Sequence, residues 1–185
     1  MLGHNKKNYQ IPRRKDKKAL VLVDFQNDFI DGSLGTKEAQ AILPNVIEKL
    51  SHYPKENRFA TQDTHFEDYL STQEGKNLPV IHCQNGTYGW EIRKEAQVGF
   101  AKIFEKTTFG SRSLAEFIRD ENFDEVELIG ICTDICVVSN ALLIKAYAPE
   151  VKLTVDASCC AGVSPEKHLA ALETMSSCQI EIINA

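Results

Sequence analysis

The sequence predicts an α/β fold built on a mostly parallel sheet. Short apolar runs rich in β-branched residues alternate with segments of helical spacing, as expected of repeated strand–helix–strand units. The first run, residues 18–24, is almost continuously apolar and ends in an acid, which is typical of a strand covered on both faces. Because the 185 residues contain no linker-like segment and no repeat of fixed period, we expect a single folded domain.

The first half of the chain is predicted to contain two strands, one helix and a weaker third strand. The strands cover residues 18–24 and 57–62, the helix covers 39–53, and the weaker strand or strand edge covers 79–83. The helix is predicted because Ile42, Val46 and Leu50 form one apolar stripe. Polar residues dominate the region 64–79, which is predicted to be a loop.

In the second half of the chain, predicted helices and strands alternate more regularly. Helices are predicted over 91–98, 113–120, 134–147 and 165–176, and strands over 101–105, 126–131, 151–155 and 179–183. The helix over 134–147 is apolar almost all round, which indicates a buried helix. The last helix has the clearest start, because Ser164 is a good N-cap and Pro165 suits the first helical position.

The segment around Cys136 carries the first chemical prediction. Gly130 is expected to open a turn after the strand, and Thr133 and Asp134 to cap the helix that follows. Cys136 would then lie in the first helical turn, where unpaired N–H groups and the helix dipole favour the thiolate, so we expect a lowered thiol pKa. The alternative is a small buried hydrophobic residue.

Charged side chains follow three other predicted strands. Asp24, Asp63 and Lys106 each stand just beyond the carboxyl end of a strand, where ligands bind in open parallel sheets. Asp24 could take the proton of a thiol, and Lys106 could hold the carboxylate and stabilise the thiolate. With backbone N–H groups of residues 130–136 facing an oxyanion, the set suits acyl transfer. Taken singly, Asp24 could cap a turn and Lys106 could be a surface lysine.

A second set of residues has the composition of a metal site. It comprises Asp63, His65, Glu74 and His82. Carboxylate and imidazole ligands suit a divalent ion such as Zn²⁺, Mn²⁺ or Fe²⁺. The alternative is a group of polar loop residues, with His82 as a hydrogen-bonded core histidine.

Composition excludes several classes of partner. No apolar run approaches the roughly 18 residues of a membrane span, and the basic N-terminus lacks the apolar stretch of a secretory signal. We therefore expect a cytoplasmic protein with its six cysteines as free thiols and no membrane partner. The first 18 residues carry seven Lys and Arg and one acid, so the rest of the chain is acidic, which argues against nucleic acid as a partner. The basic stretch by itself could bind nucleic acid or an anionic surface, or be a solvated arm.

Four motifs carry a family resemblance that spans residues 18–183. They are Val23-Asp-Phe-Gln-Asn-Asp-Phe29, Asp63-Thr-His65 with Leu78-Pro79 and His82-Cys83, Glu105-Lys106, and Gly130-Ile-Cys-Thr-Asp-Ile-Cys136-Val. With these motifs the chain resembles the isochorismatase-like cysteine hydrolases, and among them the nicotinamidases. The resemblance implies a three-layer α/β/α domain with a six-stranded, mostly parallel sheet over residues 17–185, after a basic extension over 1–16.

The resemblance also assigns roles to individual residues. It implies a catalytic triad of Asp24, Lys106 and Cys136, and a cis peptide between Ile131 and Cys132 that turns the N–H groups of Cys132 and Cys136 into an oxyanion hole. It places the metal, with Zn²⁺ first and Mn²⁺ or Fe²⁺ as alternatives, on Asp63, His65, Glu74 and His82. The predicted substrate contacts are Phe29, Leu78 and Trp90. Isochorismatases proper lack the metal set, so the resemblance favours an amidase.

The implied reaction is the hydrolysis of nicotinamide to nicotinate and ammonia through a thioester. The partner would be a small-molecule amide, and the protein a homo-oligomer. Three alternatives stay open: hydrolysis of another small amide or ureide, a non-catalytic binding protein that recruits a partner through the basic tail, and a redox sensor with Cys132 as resolving cysteine.

Overall fold

A computed structural model describes residues 17–185, so the basic extension predicted over 1–16 lies outside the described residues. The described chain forms one six-stranded sheet in the order β3-β2-β1-β4-β5-β6, with all neighbouring strands parallel. The strands are β1 (Lys18–Val23), β2 (Arg58–Asp63), β3 (Lys102–Lys106), β4 (Glu125–Ile131), β5 (Lys152–Ala161) and β6 (Glu181–Ile183). The predicted fold class is confirmed.

Helices cover both faces of this sheet. They are α1 (Asn27–Ile30), α2 (Lys37–Ala41), α3 (Leu43–Ser51), α4 (Gln73–Asn77), α5 (Arg112–Glu121), α6 (Val138–Tyr147) and α7 (Pro165–Ser177). Successive side chains of a strand point to opposite faces, so β1 feeds two apolar clusters. Val21 packs in the cluster that contains residues of α5, α6 and α7, whereas Leu22 packs with residues of α1, α2 and α3. The three layers follow directly from this alternation.

Two predicted elements before β3 are wrong. Residues 79–83 form a loop, because Pro79 has no N–H for a sheet and the Cys83 N–H donates to the Asp28 carboxylate instead. Residues 91–98 contain only a short 3-10 turn, Lys94–Ala96. The region 64–79, which its polar residues predicted to be a loop, also contains the short helix α4. The Thr72 hydroxyl caps the start of this helix.

Two other elements have different bounds from those predicted. The helix expected over 39–53 is divided into α2 and α3, because Pro44 lies in the first turn of α3 and cannot continue the preceding helix. Strand β5 continues six residues past its predicted end, through the buried Asp156. Lys49 makes this possible, since its ammonium lies 2.8 Å from the Asp156 carboxylate and neutralises it.

The start of the helix at Cys136 also differs from the prediction. Gly130 lies inside β4 with φ +124°, where a Cβ would clash with the backbone oxygen of Val23. The chain then forms a π-helical turn, Thr133–Val137, whose N-terminus has no side-chain cap. Asp134 accepts a hydrogen bond from the Val163 N–H, and Thr133 bonds to the His168 ring, so neither residue caps the helix as predicted.

All six cysteines lie in the described part of the chain and are free, as predicted. Across residues 17–185, no helix has both the length and the apolar character needed to cross a bilayer.

Candidate active site

The carboxyl ends of β1, β3 and β4 bring Asp24, Lys106 and Cys136 into contact. The Lys106 ammonium lies 2.7 Å from Asp24 Oδ2 and 3.7 Å from Cys136 Sγ. All three side chains are buried, and Asp24 is fully inaccessible to solvent. The convergence expected from the parallel topology is therefore present. Lys106 is buried and is not a surface lysine, and the Asp24 carboxylate pairs with Lys106 instead of capping a turn.

Thr61 fixes the orientation of the Asp24 carboxylate. Asp24 leaves β1 with φ +45°, a turn that aims its side chain along the sheet edge. The Thr61 hydroxyl donates a 2.6 Å hydrogen bond to Asp24 Oδ1, and the Asp24 N–H contacts the same hydroxyl at 3.2 Å. Lys106 occupies the other carboxylate oxygen, so both oxygens have a defined partner.

Burial raises the proton affinities of Cys136 and Asp24. Burial raises the pKa of the Cys136 thiol well above its ordinary value, and the Asp24 carboxylate raises it further, while Lys106 opposes both effects. The prediction of a lowered thiol pKa is therefore wrong, because loss of water outweighs the helix terminus. Burial also raises the pKa of Asp24, against the opposing effects of Lys106 and Thr61. A protonated thiol thus lies beside a carboxylate of increased basicity.

The second predicted set also converges. One ligand atom from each of Asp63, His65, Glu74 and His82 lies within 4.8 Å of the others. His65 Nε2 is 2.9 Å from Asp63 Oδ2 and 3.5 Å from Glu74 Oε1, and His82 Nε2 is 3.7 Å from the same Asp63 oxygen. Glu74 is the most exposed of the four, with 18% of its side chain accessible.

These residues fit a divalent metal ion. His65 Nε2 is buried with no well-oriented hydrogen-bond partner, which leaves it available as a ligand. His82 Nδ1 bonds to the Val80 carbonyl at 2.7 Å, so that its Nε2 faces the cluster, an arrangement common among metal-binding histidines. Two nitrogens and two carboxylates also match the donor types of Zn²⁺, Mn²⁺ and Fe²⁺.

Asp63 connects the two sets of residues. Its Oδ1 accepts from the Lys106 ammonium at 3.1 Å, and its Oδ2 faces His65. Burial alone would raise the pKa of Asp63, but the neighbouring His65 and Lys106 hold it below its ordinary value. One carboxylate therefore serves both the triad and the metal cluster.

A cavity of about 280 Å³ lies against both sets. Its wall contains Cys132 and Cys136 as well as Asp63, Glu74 and His82, and its apolar part is formed by Phe29, Leu34, Leu78, Phe109, Ile135 and Val163. Two of the predicted substrate contacts, Phe29 and Leu78, thus line it. Trp90 does not: its indole N–H donates to Thr64, and its side chain borders a separate depression beside Gln62.

The peptide between Ile131 and Cys132 is cis, as the resemblance predicted. Cys132 directly precedes the π-helical turn that carries Cys136, and both residues border the cavity.

Sequence reasoning missed several residues of this site. Thr61 could have been found, since it stands two residues before Asp63 on β2 and therefore shares its face. Tyr69 packs its ring 4.5 Å from that of His65 and 5.1 Å from that of His82, and had no such signal. Phe109 follows the predicted Lys106 by three residues, but only the fold shows that it reaches the cavity.

Comparisons with known proteins cover nearly all of the described chain. Residues 18–185 match the Isochorismatase domain family. A nicotinamidase/pyrazinamidase of Mycobacterium tuberculosis is 29% identical over 187 residues, which cover 90% of this chain and 98% of the relative. The solved pyrazinamidase of Pyrococcus horikoshii in complex with zinc has a TM-score of 0.76 at 27% identity, covering 91% and 99% of the two chains. A pyrazinamidase/nicotinamidase of Streptococcus mutans UA159 also reaches 0.76, at 28% identity, covering 90% and 99%.

Proposed function

The chain belongs to the isochorismatase family, and from that premise we propose that it is a cysteine-dependent amidohydrolase that converts nicotinamide and water to nicotinate and ammonia. The observation that carries the proposal is a small cavity whose wall contains Cys136 of the triad together with Asp63, Glu74 and His82 of the metal cluster. Its volume is at the lower end for ligand cavities, which suits a substrate of one ring. The nicotinamidase relatives share the fold and support the same reaction.

The triad performs the bond changes. Asp24 accepts the thiol proton of Cys136, and the thiolate sulfur attacks the amide carbon, whose carbonyl oxygen becomes an oxyanion. The N–H groups of Cys132 and Cys136 would receive that oxyanion. Asp24 then protonates the leaving nitrogen, the C–N bond breaks, and ammonia departs from a thioester. A water molecule that gives its proton to Asp24 attacks the thioester and releases the acid, and the proton returns to the thiol.

Lys106 keeps this cycle electrically balanced. Burial would lower the pKa of its ammonium, but Asp24, Cys136 and Asp63 together raise it above the ordinary value, so Lys106 stays charged. Its positive charge offsets the negative charge that passes between Asp24 and the sulfur.

We assign Asp63, His65, Glu74 and His82 as ligands of a divalent metal, with zinc the first choice because the Pyrococcus horikoshii pyrazinamidase was solved with zinc. When bound, such a metal supplies a Lewis-acidic position that can hold a ring nitrogen and orient the substrate. Phe29, whose ring lies 5.6 Å from that of His82, and Leu78 would contact the faces of the substrate ring.

The direct test is ammonia release from nicotinamide, followed by a coupled assay. We expect turnover by metal-loaded protein, loss of turnover after chelation, and recovery on adding Zn²⁺, Mn²⁺ or Fe²⁺. Turnover unaffected by complete metal removal would contradict the metal assignment. If nicotinamide is inert, a panel of small amides and ureides would identify the substrate. Failure of every amide would favour a non-catalytic binding protein.

Replacing Thr61 by Val should alter the pH dependence of the reaction. The substitution removes the hydroxyl that lowers the pKa of Asp24, so that pKa rises and the acidic limb of kcat/KM moves to higher pH. A lost hydrogen bond to a charged group corresponds to about one pH unit. Thr61→Ser retains the hydroxyl and should keep the wild-type profile. Identical profiles for the Val and Ser variants would exclude this role.

Homo-oligomerisation and cytoplasmic location stay predictions. Light scattering on the purified protein and fractionation of its host cells would test them.

A further inference from the structure

We infer that Gln26 is a positioning residue that holds the metal ligand Asp63 in place. The inference rests on the metal site of the proposed function and concerns a side chain that does not line the cavity and is not one of the four metal ligands. Gln26 is fully buried and lies two residues after Asp24.

The Gln26 amide engages both peptide groups of Asp63. Its Oε1 accepts from the Asp63 N–H at 2.7 Å, and its Nε2 donates to the Asp63 carbonyl at 2.8 Å. The second hydrogen of Nε2 serves the Trp90 carbonyl, also at 2.8 Å. The amide oxygen of Gln26 and both hydrogens of its amide nitrogen are therefore hydrogen-bonded to backbone groups.

The geometry explains why an amide is needed there. The pairing of β1 with β2 ends as Asp24 turns away with φ +45°, so the last residue of β2 has no strand residue opposite it on that side. In a strand, the N–H and C=O of one residue point to the same neighbour. A primary amide has the same donor and acceptor as a peptide group, so Gln26 continues the sheet by one residue through its side chain.

This contact acts on chemistry through Asp63. The two oxygens of that carboxylate lie 3.1 Å from Lys106 Nζ and 2.9 Å from His65 Nε2, so a small displacement of the Asp63 backbone disturbs both contacts. Outer partners that orient metal ligands typically contribute about 10–100-fold to metal affinity. The loop that carries the proposed base thereby also sets the geometry of the metal cluster.

Gln62 provides a matched control. It is the same residue type, is also buried, and donates to the same Trp90 carbonyl at 2.9 Å. Its side chain makes no hydrogen bond to Asp63 among the contacts of the described residues. Loss of Gln62 therefore reproduces the general cost of a buried amide without releasing Asp63.

The test measures metal binding directly, without substrate. Gln26→Met and Gln62→Met are titrated with Zn²⁺ against a chromophoric chelator, and the visible absorption of their Co²⁺ forms is recorded. We expect Gln26→Met to weaken Zn²⁺ affinity about 10–100-fold and to change the Co²⁺ bands, while Gln62→Met stays within about 2-fold of wild type with unchanged bands. Thermal unfolding shows that each variant is folded. If Gln26→Met is not, Gln26→Asn replaces it, since the shorter amide cannot reach both Asp63 groups and is expected to weaken binding in the same direction.

Three results would overturn the inference. Wild-type affinity in the Gln26 variant, or equal weakening in both variants, would reduce Gln26 to an ordinary structural residue while leaving the metal site intact. A wild-type protein that binds no metal would overturn the metal assignment as well, so the two failures are distinguishable.

Discussion

Replacing Cys136 by Ala is expected to reduce ammonia release by at least about 10⁴-fold and to leave the fold intact. The variant keeps Asp24 and Lys106 but has no sulfur to form the thioester, so the remaining groups can only assist direct attack by water. The side chain lost is small and packs in a large apolar cluster, so we expect no more than a modest decrease in melting temperature. Activity is measured on protein that unfolds in one cooperative transition and has the metal content of wild type.

Cys160→Ala is the matched control for this experiment. Cys160 is buried in the same apolar cluster, on β5, and is absent from the cavity wall. Burial raises the pKa of its thiol, as it does for Cys136, but Cys160 lies outside the triad and so lacks the proposed base. Its variant should retain full turnover. Ammonia release by the Cys136 variant at more than a trace of the wild-type rate would contradict the role of Cys136 as nucleophile, and with it the proposed mechanism.

Lys106→Met is expected to damage stability and activity together. The ammonium is the cation beside two buried carboxylates, those of Asp24 and Asp63. Removing one partner of a buried ion pair leaves uncompensated charge, at a cost of about 3–5 kcal/mol of unfolding free energy. Turnover should fall about 10²–10³-fold, as for loss of a principal electrostatic contact. Denaturant unfolding and kcat of the folded variant, measured at low temperature, check both effects.

The pH dependence gives this variant a distinct signature. Lys106 lowers the pKa of Asp24 and that of Cys136, so its removal raises both. An acid whose pKa rises in the folded state loses its proton only at higher pH. The acidic limb of the rate profile should therefore move to higher pH. Lys102→Met, on the same strand but at an exposed position, should leave the rate unchanged. It should cost no more than about 1 kcal/mol of unfolding free energy, since the Lys102 ammonium lies over the Phe104 ring. An unchanged pH profile in Lys106→Met would show that the lysine does not act on the base.

Local patterns were sufficient for the framework of the protein. The apolar runs located β1, β2, β3 and β4 to within a residue at each end. The signal is clearest for β1, which is buried from Ala19 to Val23 and has only apolar residues there. The parallel topology then brought Asp24, Lys106 and Cys136 to one edge, since parallel strands end on the same side of a sheet. The motifs supplied the metal set through family resemblance, and the fold brings its members together.

Local patterns failed where a partner from elsewhere in the chain decides the outcome. Asp156 looked like the end of a strand, but Lys49 from α3 neutralises it inside β5. Trp90 was expected near the substrate, yet its indole bonds to Thr64 and faces away from the cavity. In each case the deciding contact joins residues far apart in sequence.

The sequence by itself therefore determined the fold class, the edge of the sheet that carries the chemistry and the identity of the groups gathered there. Only the tertiary structure decided how those groups hold their protons and which residues orient them. The thiol pKa of Cys136 illustrates the reason: a helix terminus is visible in the sequence, whereas the loss of water around a side chain depends on everything packed against it. Gln26 is a second example. Its role exists only because Asp24 turns away from β2 and leaves the last peptide groups of that strand without a neighbouring strand.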